Sequence, residues 1–341
     1  MLNLLNEHKT IIILSSTFIL GIIIGVMALR IYTISEEKTH QFSSIQHDPA
    51  SGILTNPILD CEFFQNDEFT SFKRMEYKIK DVIDDEKSKK HATHISIYFR
   101  DMNTGAWVGV NEKESFSPAS LLKVPVMMAY YKLAEKDPTF LSKEVEYHSD
   151  DFDAIGLTQD IVPTESLQEN GKYKIDDLIS RMIINSDNQS QFMLISQIPQ
   201  SGFESVYVDL GITIPGVRGI EDFMTVKEYA SFFRILYNAT YLTRDYSEKA
   251  LGLLTQVEFD KALGAGIPDN IILAHKFGER GYINDEGKNV KQLHDCGIVY
   301  YPERPYLLCV MTRGDDLEKL SATIQRISRL VYEDVNSLPT N

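Results

Sequence analysis

Strand-like runs stand near both ends of the folded part of this chain and are nearly absent from its middle, an order that allows few folds. Residues 94–99 and 107–110 are β-rich and flank a turn at Asn103, Thr104 and Gly105, so they read as a hairpin. Strand signals return only at 271–277, 297–301 and 306–312, and Pro302 and Pro305 mark a tight turn between the last two. From Ser117 to about Thr255 the apolar period is mostly helical. The economical solution is one antiparallel sheet built from both ends of the chain, with an all-helical lobe (about 117–265) inserted into it. A helix over about 69–89, with Phe72, Met75, Ile79 and Val82 at helical spacing, and a closing helix from Asp315 to about Tyr332 would cover one sheet face. Asp315 and Asp316 favour the start of that closing helix. The class is α/β in the α+β sense, and the cleft between sheet and lobe is the natural place for a site.

Ahead of this domain, residues 11–29 are apolar and uncharged, bracketed by Lys9 and Arg30. As a helix they would span ~28 Å, a bilayer core. The run is long for a signal peptide and no small-residue cleavage site follows. The expectation is an uncleaved anchor (1–32), a polar tether of little structure (33–60) and a folded domain (61–341). The net charge of −15 argues against nucleic-acid binding, since such a chain repels phosphate. The three cysteines, Cys61, Cys296 and Cys309, form no CxxC pair, so neither a zinc site nor a redox motif is expected. The simplest reading is three buried or half-buried thiols, with no cofactor and no metal.

Three short motifs carry chemistry. Ser117 is a plausible N-cap and Pro118 suits a first helical position, which puts Ser120 in the first turn and Lys123 on the same helix face. A neutral lysine there can take the serine proton. Ser186-Asp187-Asn188 ends a helix carrying Leu178, Met182 and Ile183; a second serine can relay a proton, and an asparagine amide can hold a substrate amide. His275-Lys276-Phe277-Gly278 lies on a late strand. Each alone has a bland explanation: a capped helix with a surface lysine, a polar helix end, an edge-strand lysine. Their order and placement together are far more specific. Ser186 lies 66 residues after Ser120, and Lys276 lies 90 after Ser186.

This combination resembles the class A β-lactamases and penicillin-binding proteins over about residues 69–334. The resemblance implies a five-stranded antiparallel sheet flanked by terminal helices. It implies an acyl-enzyme on Ser120, with Lys123 as base or part of the proton network and Ser186 delivering a proton to the leaving nitrogen. Asn188 would orient the substrate amide and Lys276 would help bind its carboxylate. Gly278 would let the acyl group lie along the strand, and the N–H groups of Ser120 and Glu279 would form the oxyanion hole. The expected partner is a β-lactam or a peptidoglycan-type peptide, and the expected location is the membrane, with the catalytic domain extracytoplasmic.

Three departures stand out. The usual Lys-Thr-Gly is Lys276-Phe277-Gly278, and phenylalanine cannot donate a hydrogen bond to a carboxylate. No arginine occupies the family's carboxylate-binding position, where His294, Asp295 and Cys296 stand instead. The loop glutamate that activates deacylating water also has no clear counterpart among Glu204, Asp209, Glu221 and Asp222; Glu221 is the least unsuitable. A D,D-peptidase acting on cell-wall peptides and a non-catalytic wall-binding domain are the alternatives to β-lactam hydrolysis.

Overall fold

Alternation within 94–99 sets the sheet: Ile95, Ile97 and Phe99 point to one face and Tyr98 to the other, and both faces are buried. The computed structural model describes residues 52–57, 72–149, 160–163, 165–215 and 222–338. The expected anchor, most of the expected tether, Cys61 and Glu221 lie outside them. Among the described residues no helix is long and apolar enough to cross a membrane.

The chain runs α1 (Lys73–Ser88), β1 (His94–Asp101), β2 (Trp107–Val110), β3 (Ser115–Phe116), α2 (Lys123–Ala134), β4 (Glu144–Glu146), β5 (Lys172–Lys174), α3 (Ile175–Ile184), α4 (Asn188–Gln197), α5 (Gln200–Leu210), β6 (Met224–Thr225), α6 (Val226–Tyr237), α7 (Arg244–Leu254), β7 (Leu273–Ile283), β8 (Asn289–Val299), β9 (Tyr306–Gly314) and α8 (Leu317–Asn336). Five strands form one antiparallel sheet in the order β2-β1-β9-β8-β7, so both ends of the chain build it as expected and β7 is an edge. Strands β7 and β8 are longer than the sequence pattern suggests. They continue past Gly278 and Leu293 to a turn at Asn284–Gly287, where Gly287 takes φ +74°.

One sheet face packs on α1 and α8. Met75, Ile79 and Ile83 meet Ile95, Ile97, Leu308 and Val310, and Leu320, Ile324, Ile327 and Val331 complete the layer. Each such side chain contributes about 1.5–3 kcal/mol on burial. Asp316 is the side-chain cap of α8, accepting from Glu318 N–H and Lys319 N–H. The opposite face meets the helical lobe through Tyr98, Ala274, Ile298, Leu307 and Met311. At the lobe's centre α2 is apolar nearly all round, the pattern of a helix with no solvent face. Its first residue, Lys123, is buried with it.

Two expectations are corrected, one at the surface and one in the core. Residues 52–57, expected as unstructured tether, lie docked on the lobe: Glu248 accepts from Leu54 N–H (2.9 Å), Thr55 N–H (2.7 Å) and Thr55 Oγ1 (2.7 Å), and Asn56 N–H donates to Tyr237 O (2.7 Å). Cys296 and Cys309, expected as thiols, form a disulfide. The β8–β9 register sets them directly opposite one another, so both side chains point to the same face.

Candidate active site

The turn that carries Ser120 is held from below before any chemistry begins. β3 pairs with β6 just ahead of it, Ser115 opposite Thr225 and Phe116 opposite Met224. Ser117 N–H donates to Gln292 Oε1 (3.2 Å), and Ser117 O lies 3.0 Å from His294 Nε2. Thr312 N–H donates to Nδ1 of the same ring at 3.2 Å, which fixes the neutral tautomer with its proton on Nε2. Full burial pushes the His294 imidazole down to about 4, which agrees.

Ser117 is therefore anchored by its backbone and is not the expected N-cap; its hydroxyl has no hydrogen-bond partner among the described residues. Residues 119–122 form a 3-10 turn, and the α-helix begins only at Lys123. Side chains three apart eclipse in a 3-10 turn, which brings Ser120 and Lys123 together more directly than an α-turn would. Ala119 (φ +50°) and Ser186 (φ +55°) both sit in the left-handed region that non-glycine residues avoid. Both segments that present the serines thus carry a strained residue, as do five non-glycine positions elsewhere among the described residues.

Lys123 Nζ is the hub. It lies 3.1 Å from Ser120 Oγ, 3.1 Å from Ser186 Oγ, 2.5 Å from Ser186 O and 2.7 Å from Asn188 Oδ1. The residue is 0% exposed. Burial lowers the ammonium to about 7, against the attraction of Asp187 and Glu279. Lys276, also 0% exposed, places Nζ 2.8 Å from Ser186 Oγ and 2.9 Å from Phe277 O. Burial first, and then the neighbouring Lys123, hold it well below the ordinary lysine range. Asp187 is a structural partner. As the N-cap of α4 it accepts from Gln189 N–H (3.0 Å) and from Ser190 Oγ (2.5 Å), which fixes the 186–188 turn.

Strand β7 passes directly behind the nucleophile. A Cβ on Gly278 would lie 2.7 Å from Pro118 O and 2.9 Å from Leu121 N, so the glycine is what lets the strand backbone approach the Ser120 turn. Ladder bonds flanking the strand, Tyr300 N–H to Ile272 O and Asn284 N–H to Lys288 O, put the even-numbered residues of β7 in register with β8. The odd-numbered Phe277 and Glu279 accordingly turn N–H and C=O to the open edge. The Glu279 side chain accepts from Asp160 N–H (2.7 Å) and Ile161 N–H (3.0 Å), and burial raises its carboxyl. That tie between β7 and the 160–161 loop had no signal in the sequence.

The structure thus brings Ser120, Lys123, Ser186, Asn188 and Lys276 into one hydrogen-bonded cluster, with Gly278 and the Glu279 backbone on the adjoining strand edge. A buried amine of low basicity between two hydroxyls can accept a proton from one and pass it toward the other. None of the residues standing where the arginine was sought offers this cluster a cation: Asp295 is on the opposite sheet face, and Cys296 and His294, opposite Lys276 and Gly278 on the near face, are committed to other partners. Asp295 accepts from Leu263 N–H (3.0 Å) and lies 2.9 Å from His275 Nδ1, Cys296 is in the disulfide, and His294 supports Ser117. The Phe277 ring is buried against Phe259, with centroids 4.1 Å apart. Among the described carboxylates, Glu204 bonds Gln200 on its own helix and Asp222 bonds Gln292 (3.0 Å) and Arg313 (2.8 Å).

The beta-lactamase enzyme family matches residues 74–335. Among solved structures, a class A beta-lactamase from Mycobacterium abscessus superposes with a TM-score of 0.65 at 19% identity, covering 76% of this chain and 100% of that one. A class A representative from Bacteroides cellulosilyticus gives 0.65 at 20%, covering 77% and 99%. A point mutant of PBP-A, solved as an acyl-enzyme complex with penicillin G, gives 0.64 at 18%, covering 78% and 97%. At these identities the structural likeness is one of fold. No curated protein sequence matches the chain.

Proposed function

The chain belongs to the beta-lactamase enzyme family, and from that premise we propose that this class A beta-lactamase-like serine hydrolase opens β-lactam amides through an acyl-enzyme on Ser120. The observation that carries the reading is the Lys123 amine, fully buried and 3.1 Å from both serine hydroxyls.

With its basicity lowered to about 7, Lys123 is about half free amine at neutral pH. It takes the Ser120 proton as Oγ bonds to the lactam carbonyl carbon. The negative charge that develops on the carbonyl oxygen is received by the N–H groups of Ser120 and Glu279, each such donor being worth roughly 3–4 kcal/mol. The C–N bond then breaks. Ser186 Oγ gives its proton to the departing nitrogen and recovers one from Lys123. Lys276 holds Ser186 Oγ in line for this, and Asn188 Oδ1 fixes the lysine that serves both steps. Lys123, neutral again, is the base for the water that hydrolyses the ester. PBP-A, solved as a penicillin G acyl-enzyme on the same fold, supports a β-lactam as the acyl donor. The 11–29 run is the proposed single-pass anchor, with the 61–341 domain on the extracytoplasmic side, where such substrates are met.

The test is intact mass over time after mixing the full-length chain with benzylpenicillin. The expected result is an adduct of one penicillin per chain that decays with release of the ring-opened product and is absent from Ser120→Ala. A permanent adduct would instead mark an enzyme that β-lactams only trap, and absence of any adduct overturns the reading.

A further inference from the structure

A cavity of about 330 Å³ borders the catalytic cluster and is not used by the chemistry above. Ile184 and Asn185, immediately ahead of Ser186, form one wall, and Phe277, immediately after Lys276, forms another. Ile161, on the loop tied down by the Glu279 carboxylate, closes a third side. Its remaining apolar lining comes from Val162, Pro163, Phe259, Leu293 and Leu317. The charged groups among the described lining residues are Glu258, Asp260 and Glu318 against a single cation, Lys261.

In the reaction proposed above Ser186 protonates the leaving nitrogen. The cavity adjoins the cluster through Asn185, next to Ser186, and through the Phe277 ring, whose centroid lies 4.1 Å from Lys276 Nζ, so a substituent on that nitrogen that runs past Ser186 reaches it. Penicillins carry a carboxylate there. The lining suits one poorly: Lys261 is its one cation, set among three acids, and the Ser321 hydroxyl is spent on Lys261 O. The Phe277 ring offers no hydroxyl, and Lys276 spends its amine on Ser186 Oγ and Phe277 O beneath the surface. The rim carries three acids to one base, which repels an anion, and an anion set against apolar walls would lose its hydration unpaired.

We infer that this cavity takes an uncharged apolar group on the leaving-nitrogen side of the substrate, so that the enzyme selects amides lacking the carboxylate there. The inference rests on Ser120 acylation as proposed above and adds the class of substrate.

The experiment compares benzylpenicillin with its methyl, ethyl and propyl esters on the full-length chain, reading the second-order rate of adduct formation by intact mass. The methyl ester is expected to acylate at least about tenfold faster than the acid. The rate should then rise by up to about fourfold for each added methylene, the factor that ~0.8 kcal/mol per buried CH₂ gives. Two sets of changes at accessible positions locate the effect. Neutralising the rim in E258Q/D260N/E318Q should speed the acid and leave the esters within about twofold. Ile161→Asn should flatten the rise with chain length while leaving the methyl ester reactive. An acid that reacts as fast as its esters, or an ester series with no slope, overturns the inference while leaving Ser120 acylation standing. Acylation by neither acid nor ester overturns both.

Discussion

Replacing Gly278 by alanine drives a methyl group into the turn that carries the nucleophile. The added Cβ would sit 2.7 Å from Pro118 O, 2.9 Å from Leu121 N and 3.0 Å from Leu121 Cγ, whereas ordinary contact begins at 3.4 Å. Two of these three obstacles are backbone, so no side-chain rotation relieves them. Strand and turn must separate by about 0.7 Å to bring the closest pair to that distance. Overpacking of this kind costs about 1–3 kcal/mol of stability. The larger effect is on alignment, because a shift of about 1 Å between reacting groups costs on the order of 100-fold in rate. Gly278→Ala should therefore stay folded but acylate roughly 10- to 100-fold more slowly. Gly281→Ala is the internal control. Its Cβ would meet the end of the flexible Lys291 side chain, which can move away, so near-normal acylation is expected. Rates of penicillin adduct formation, with thermal unfolding run alongside, decide the matter. Wild-type acylation by Gly278→Ala, or an equal loss in Gly281→Ala, would refute the reasoning.

His294 makes stability depend on pH. Its folded value of about 4 lies below the ordinary 6.5, so below pH 6.5 the unfolded chain binds a proton that the folded one refuses. The contribution is intact above pH 6.5 and is lost as pH falls toward 4, by up to about 3 kcal/mol; urea unfolding across that range should show the loss, and His294→Gln should lack that component. Glu248→Ala should release the docked 52–57 segment, with a cost of about 1–3 kcal/mol in urea unfolding and new protease cleavage within the segment. Full resistance of the segment in that variant would show that Glu248 does not hold it.

Much of this arrangement is legible in the chain because it follows from short-range pattern. The 94–99 and 107–110 runs, the Pro302–Pro305 turn and the Leu320-Ile324-Ile327-Val331 stripe appear as the alternation and period say they should. Ser120, Lys123, Ser186 and Lys276 stand out through their order along the chain, a one-dimensional property. What the sequence hides depends on contacts far apart along it. The Cys296–Cys309 bond requires the β8–β9 register, which a composition-level reading of three thiols does not contain. Gly278 reads from sequence as clearance for the substrate, yet its tightest neighbours belong to the nucleophile turn itself. The carboxylate of Glu279 binds a loop 118 and 119 residues away. Ser117 resembles a helix cap by sequence, but cross-strand partners on Gln292 and His294 claim its backbone first.

The account depends on Lys123 acting as a neutral amine, and the pH dependence of Ser120 acylation reports that state directly. Second-order adduct formation, followed from pH 5 to pH 9, should climb with an apparent pKa of about 7 and level off above it, as the ammonium loses its proton. A rate that stays flat across this range, or that still climbs steeply at its upper end as an ordinary lysine would dictate, contradicts the account.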